Sequence, residues 1–190
     1  MSSNQNQNYS YLPGDSGKRI PTVTSQPDHD VAHVRSPEWM IQMDDVLTSN
    51  VEGFNDYCEL FGWYSEFGRN STGDIGNSLF TSASLRHSEL IVLIPNGGFT
   101  TVLENRANNG TPIEALTIVR LGYVKGEKVK LQEVVYTICR IISIQQDLDR
   151  IYLKLNVVTR KNTIFVYDMN GAAQGQTVSE VDYSKNLITA

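Results

Sequence analysis

LRHSELIVLI (residues 85–94), then PNGG (95–98), then FTTVLENRANNGTPI (99–113) is the stretch that decides the fold. The first segment is rich in branched apolar residues and reads as a β-strand. Pro95 and the Gly97-Gly98 pair stop it. In the third segment Phe99, Val102 and Leu103 stand at i, i+3 and i+4, with Ala107 at i+8, which makes one apolar stripe. Thr100, Glu104, Asn105 and Arg106 take the polar positions. The spacing predicts a short amphipathic helix over 99–109, packed on a sheet and ended by Asn109-Gly110. It is the only convincing helix in the chain. Asn96-Gly97-Gly98 before the helix could cradle an anion, but it matches no phosphate-binding glycine motif, and a plain turn is the better reading.

Outward from this segment the pattern is β. Upstream, Trp39-Met40-Ile41-Gln42-Met43 reads as a strand. Residues 57–69 alternate in part, with Tyr57, Glu59, Phe61, Trp63 and Phe67 at odd positions. Between that strand and residue 85 lies a long loop of small and polar residues: Asn70, Ser71, Thr72, Gly73, Asp74, Ile75, Gly76, Asn77 and Ser78. Downstream, Leu116, Ile118 and Arg120 share one face of a strand over 114–122. Gly126-Glu127 is a turn, and 129–144 is a long strand. Ile151, Leu153, Leu155 and Val157 alternate with Tyr152, Lys154 and Asn156, the cleanest period-2 signal in the chain. Residues 163–169 read as a last strand, and Gly171 opens a polar C-terminal segment. Many strands with one helix imply a mainly β fold, a small antiparallel barrel or two-sheet sandwich. In the long strand Val134, Ile138, Ile142 and Ile144 lie on one face and Val135, Cys139 and Ile141 on the other. A sheet with one wet face should alternate more strictly. Either the helix or a neighbouring subunit is expected to cover the second face, and ring closure would also protect the edge strands.

The chain has 190 residues, which fits one domain with room for a tail. Residues 1–36 are poor in apolar positions, and four of the six prolines fall within the first 37 residues. This part is expected to be a disordered extension and 37–190 the folded domain. The net charge of −5 and pI near 5.2 argue against nucleic-acid binding. No apolar run is long enough for a membrane helix. The N-terminus resembles no secretory signal, so the chain is expected to start in the cytoplasm and leave by another route. Cys58 and Cys139 fit no metal or redox spacing and read as small buried hydrophobes.

Chemistry is hard to find. In the tail His29 and His33 stand four apart beside Asp28 and Asp30, but Pro27 and the absence of a third ligand weaken a metal reading. His87 could pair with Ser84 or Cys139. No nucleophile-elbow motif supports that, and a surface or interface histidine is the preferred reading. Asp44-Asp45 reads as a solvated strand end.

The order of elements resembles the haemolysin-coregulated (Hcp) family of secretion tube proteins. A short strand ends in acidic residues at 44–45. Glu59-Leu60-Phe61-Gly62-Trp63 is similar to an E-x-x-x-W segment of that family. Residues 85–113 follow the family's strand, proline, helix and glycine, with Pro95, Gly110 and Ile113 at matching positions. Tyr167 to Gly171, Gly175 and Val181-Asp182-Tyr183 are similar to its final strand and Gly-rich end. Thr159-Arg160-Lys161-Asn162 reads as a few extra residues before that strand, and the tail is longer than usual. The resemblance covers roughly residues 38–186. It implies a subunit of a contractile (type VI) secretion machine or related phage-like tail tube, with no catalytic role and no cofactor. Such subunits form hexameric rings stacked into a hollow tube, with sheath, spike and effector proteins as partners and export through the machine. It also implies that the loop from Asn70 to Ser78, with Ile75 near its tip, reaches the neighbouring ring. Two other classes stay open: a monomeric β-sandwich ligand- or carbohydrate-binding module using Trp63 and Tyr64, and a barrel hydrolase using His87.

Overall fold

The structure, a computed structural model, describes residues 38–44, 46–47, 53–69, 85–185 and 187–189. The expected tail, its His29/His33 pair and the loop at 70–78 lie outside the described residues. The elements in chain order are β1 (Trp39–Met43), β2 (Cys58–Glu59), β3 (Gly62–Tyr64), β4 (Phe67–Arg69), β5 (Leu85–His87), β6 (Leu90–Pro95), α1 (Thr100–Asn109), β7 (Ile113–Val124), β8 (Glu127–Gln146), β9 (Arg150–Asn156), β10 (Thr159–Tyr167), β11 (Ala173–Asp182) and β12 (Leu187–Thr189). Every strand pair is antiparallel. The fold is mainly β with one helix among the described residues, and it makes a barrel-like pair of sheet wings.

Strand β8 belongs to both wings. Its first part pairs with β7 on one side and β10 on the other, in the order β12-β11-β10-β8-β7-β1-β2. From Arg140 onward it pairs with β9, which leads on to β6 and β3. The core fills the space between the wings. Ile41, Leu116, Ile118, Val134, Leu153, Leu155 and Val92 are closed from solvent and form one cluster with Leu103 of the helix. The alternation read in β9 places Ile151, Leu153 and Leu155 inside.

The two apolar faces read in 129–144 resolve differently. The inward-facing residues are Val134, Tyr136, Cys139, Ile141 and Ile144. Two steps in that series are three residues long. One falls at Ile138, whose φ of 51° lies in the left-handed region. The other falls at a register shift between Ile141 and Ser143. At each step the strand changes parity, so a single inward line uses apolar residues from both nominal faces. Ile138 and Ile142 are the residues turned out, 41% and 46% exposed.

Other readings need correction. The expected strand over 57–69 is three short pieces, and its even positions Cys58 and Leu60 are the buried ones. The expected strand over 85–94 is two, β5 and β6. Val102 points outward, while Thr100 and Leu103 form the buried face of α1. Residues 159–162 belong to β10, and the polar C-terminal segment contains the ten-residue β11. The helix ends as expected: Gly110 has φ 66°, and its N–H donates to the Ala107 carbonyl. The turn at 125–126 has positive φ at both Lys125 and Gly126, as a two-residue hairpin requires.

Candidate functional site

Strands β4 and β5 pair as a separate ribbon: Phe67 opposes His87, Gly68 opposes Arg86 and Arg69 opposes Leu85. The chain between Arg69 and Leu85 contains the expected ring-stacking loop, so the ribbon is what joins that loop to the barrel. At the ribbon's foot, side chains from five parts of the chain meet. Ser65 Oγ and His87 Nε2 share a hydrogen bond of 2.9 Å. The His87 ring lies edge-on to Tyr183, 4.8 Å between centroids, and to Tyr136 of β8, 5.9 Å away. The Arg160 guanidinium of β10 stacks over Phe67 at 4.3 Å.

Among the described residues Arg160 has no ion pair at this foot. Arg160 is only 7% exposed, and its Nε has no hydrogen-bond partner. The hydroxyls of Tyr136 and Tyr183 are also buried without a partner in good geometry, although Tyr136 lies close to Ser65 and Arg160. Burial, together with the Arg160 charge, holds the His87 imidazole below its ordinary value. Burial likewise pushes the Tyr183 phenol up to about 12, with the Arg160 charge opposing.

The sequence flagged His87 as a surface or interface residue. It stands half-buried between two tyrosines. Cys139 is closed off in the core with its thiol pushed up to about 12, chiefly by burial, and Ser84 lies outside the described residues. The hydroxyl at His87 is Ser65, a residue the sequence did not single out. Among the described residues no carboxylate contacts the imidazole, so the orienting acid of a nucleophile–base–acid triad is not found there. Ser65, Tyr136, Arg160 and Tyr183 come together only through pairing of distant strands, and no local motif marks them.

The remaining candidates are structural. Trp63 packs against Trp39 at 5.9 Å and against the core. Tyr64, its neighbour in the strand, packs with Ile91 and Tyr152 in a different cluster. Adjacent strand residues point to opposite faces, so the two aromatics do not form one platform. Asp44 is no solvated strand end. It accepts hydrogen bonds from the backbone N–H groups of Glu114 (3.3 Å) and Ala115 (3.0 Å) and pairs with Arg106. Burial works against its charge, but these bonds outweigh it and hold the carboxyl below its usual range. Before the helix, Thr100 Oγ1 accepts from Gly97 N–H and donates to Asn96 Oδ1, which makes 96–98 a latched turn. Cys58, like Cys139, is a buried free thiol pushed up to about 12 by burial. Among the described residues no helix is long and apolar enough to cross a membrane.

No protein-family model matches the sequence, and no curated protein does. Solved structures match it in fold. A type six secretion system protein aligns with TM-score 0.70 and 17% identity, over 81% of this chain and all of that one. Hcp1 from Salmonella typhimurium gives TM-score 0.61 and 16% identity, over 80% of this chain and 97% of that one. Hcp3 from Pseudomonas aeruginosa gives 0.54 and 13%, over 76% and 97%. At these identities the likeness shows the fold, and the fold is that of the Hcp proteins.

Proposed function

We propose that this chain is a structural tube subunit of a type VI or related contractile secretion system, closing into hexameric rings that stack into a hollow tube. The observation that carries the reading is an Hcp fold, matched over nearly the full length of the solved Hcp chains, whose main sheet ends open. Strand β12 pairs with β11 only at residues 180–182. Among the described residues nothing pairs with the outer edge of β11 over residues 173–179, and such an edge invites a neighbouring strand. A ring in which each subunit's edge meets the next closes all edges at once. Ile164 and Val166 of the adjacent β10 are large exposed apolar residues that such a contact would cover. The role is assembly and mechanical delivery, not bond chemistry. The chain leaves the cytoplasm through the machine, and sheath, spike and effector proteins are its partners.

In this reading the loop from Asn70 to Ser78 contacts the next ring, held out by the β4–β5 ribbon. Light scattering at micromolar concentration and negative-stain microscopy test both parts. Rings of six subunits are expected for the full chain. A variant with residues 71–77 replaced by a two-residue turn should form rings but not tubes. A monomer at every concentration overturns the subunit reading, and normal tubes from the shortened chain overturn the role of the loop.

A further inference from the structure

The foot of the β4–β5 ribbon holds a buried cation. Arg160 forms no ion pair among the described residues, although it is more than nine-tenths buried. A guanidinium only donates, and a buried one is costly unless a negative group answers it. The Phe67 ring face answers part of the charge but none of the N–H groups. Among the described residues the hydroxyls of Tyr136 and Tyr183 are also buried without a partner in good geometry, that of Tyr136 lying close to Ser65 and Arg160. Among the described residues the side-chain hydroxyl in hydrogen-bonding contact with the His87 ring is Ser65. Ser65, His87 and Tyr183 keep partial contact with solvent while Tyr136 and Arg160 are closed off, so the cluster has a wet side and a dry floor.

We propose that this cluster is a receptor for a single oxyanion, a carboxylate or phosphate-type group, taken by the Arg160 guanidinium together with the Tyr136 and Tyr183 hydroxyls. An oxyanion accepts only and carries several lone pairs, which is what the cluster lacks. A cation is disfavoured by Arg160. A neutral water supplies no charge to answer the guanidinium. The occupied site would tie β8, β10 and the chain after β11 to the ribbon, through Phe67 and His87. The inference is independent of whether the chain forms tubes.

The test uses the full chain and inorganic phosphate, with acetate as a second probe and sodium chloride at matched ionic strength as the reference. The melting temperature should rise saturably with phosphate or acetate beyond the chloride reference, by a few degrees at saturation. Phosphate alone acting marks a phosphate-type ligand; acetate acting marks a carboxylate, as a protein partner would supply. The Arg160→Leu variant should lose the excess shift. The milder Tyr183→Phe variant removes one donor and should weaken binding by about fivefold; it keeps the question answerable if Arg160→Leu does not fold. By NMR, the His87 titration midpoint should move up on anion binding, because the Arg160 charge that opposes protonation is then neutralised. No excess shift over chloride, as a water-filled cluster would give, overturns the proposal. So does an excess shift that survives in Arg160→Leu or is unchanged in Tyr183→Phe.

Discussion

Arg106 and Arg160 are both largely withdrawn from water, and their surroundings differ in one respect. Arg106, near the end of α1, donates to the Asp44 carboxylate and to the Pro112 carbonyl, while Asp44 also caps two N–H groups of β7. That joint binds the first strand, the helix and β7, and it is complete within the chain. Arg160 faces a phenylalanine ring, two tyrosines and a histidine, with no carboxylate among the described residues. The same residue type therefore serves a finished joint in one region and an unfinished one in the other. The unfinished one lies where the ribbon leaves the barrel.

The largest expected effect separates the two directly. Arg106→Leu leaves Asp44 without its ion pair and should lower stability by about 2 kcal/mol. Arg160→Leu removes a buried charge that has no counter-charge among the described residues, and it should stay within about 1 kcal/mol of the parent or exceed it. Urea unfolding midpoints at pH 7 in chloride measure both. Equal losses would erase the distinction.

A smaller effect is expected at the corner between the regions. Tyr136 floors the ribbon foot, and the Cys139 thiol, three residues on, feels the Asp44 carboxylate. Ile138 lies between them with φ 51°, a conformation β-branched residues avoid and asparagine tolerates. Ile138→Asn replaces a side chain that is already 41% exposed and should stabilise the isolated chain by about 1 kcal/mol. A destabilised variant would mean that the corner is not strained.

The smallest effect is one of pH. His87 is depressed by burial and by Arg160, with Tyr136 and Tyr183 as its other titratable neighbours. Its folded value lies below its unfolded one, near 6.5. The stability it contributes is complete above about pH 6.5 and is lost as pH falls through the lower folded value. The Asp44 joint follows the same sign at lower pH, since its carboxyl is depressed from 3.8. Acidification from pH 7.5 towards 5 should lower the urea midpoint of the parent more than that of His87→Phe. A parent that is flat over this range would contradict the burial of His87.

The finished region was largely legible in the sequence. Ile151, Leu153 and Leu155 alternate because one face of β9 is core, and Gly110 stands where a helix must turn left-handed. The strand starting at Trp39 and the turn at Gly126 followed from the same local rules. The ribbon foot was not legible. Arg160, Tyr136 and Ser65 are brought together by pairing between strands far apart in the chain, and periodicity carries no signal for that. Residues 57–69 misled because large aromatics at odd positions outweighed the smaller Cys58 and Leu60 that are in fact inside. Strand β11 escaped because AQGQTVSEVD has little apolar alternation: its first residues are exposed and Val181 is its buried one.

Strand β8 has a mechanical consequence. Two sheets held only by side-chain packing would share a pull through weak contacts that can slide. Here one continuous backbone runs through both wings, paired to β7 and β10 before the corner and to β9 after it. Tension between the wings is therefore borne by covalent bonds along β8. To part them, a force must first peel β8 away from its neighbours, hydrogen bond by hydrogen bond. A load on one wing is thereby passed to the other along a single backbone.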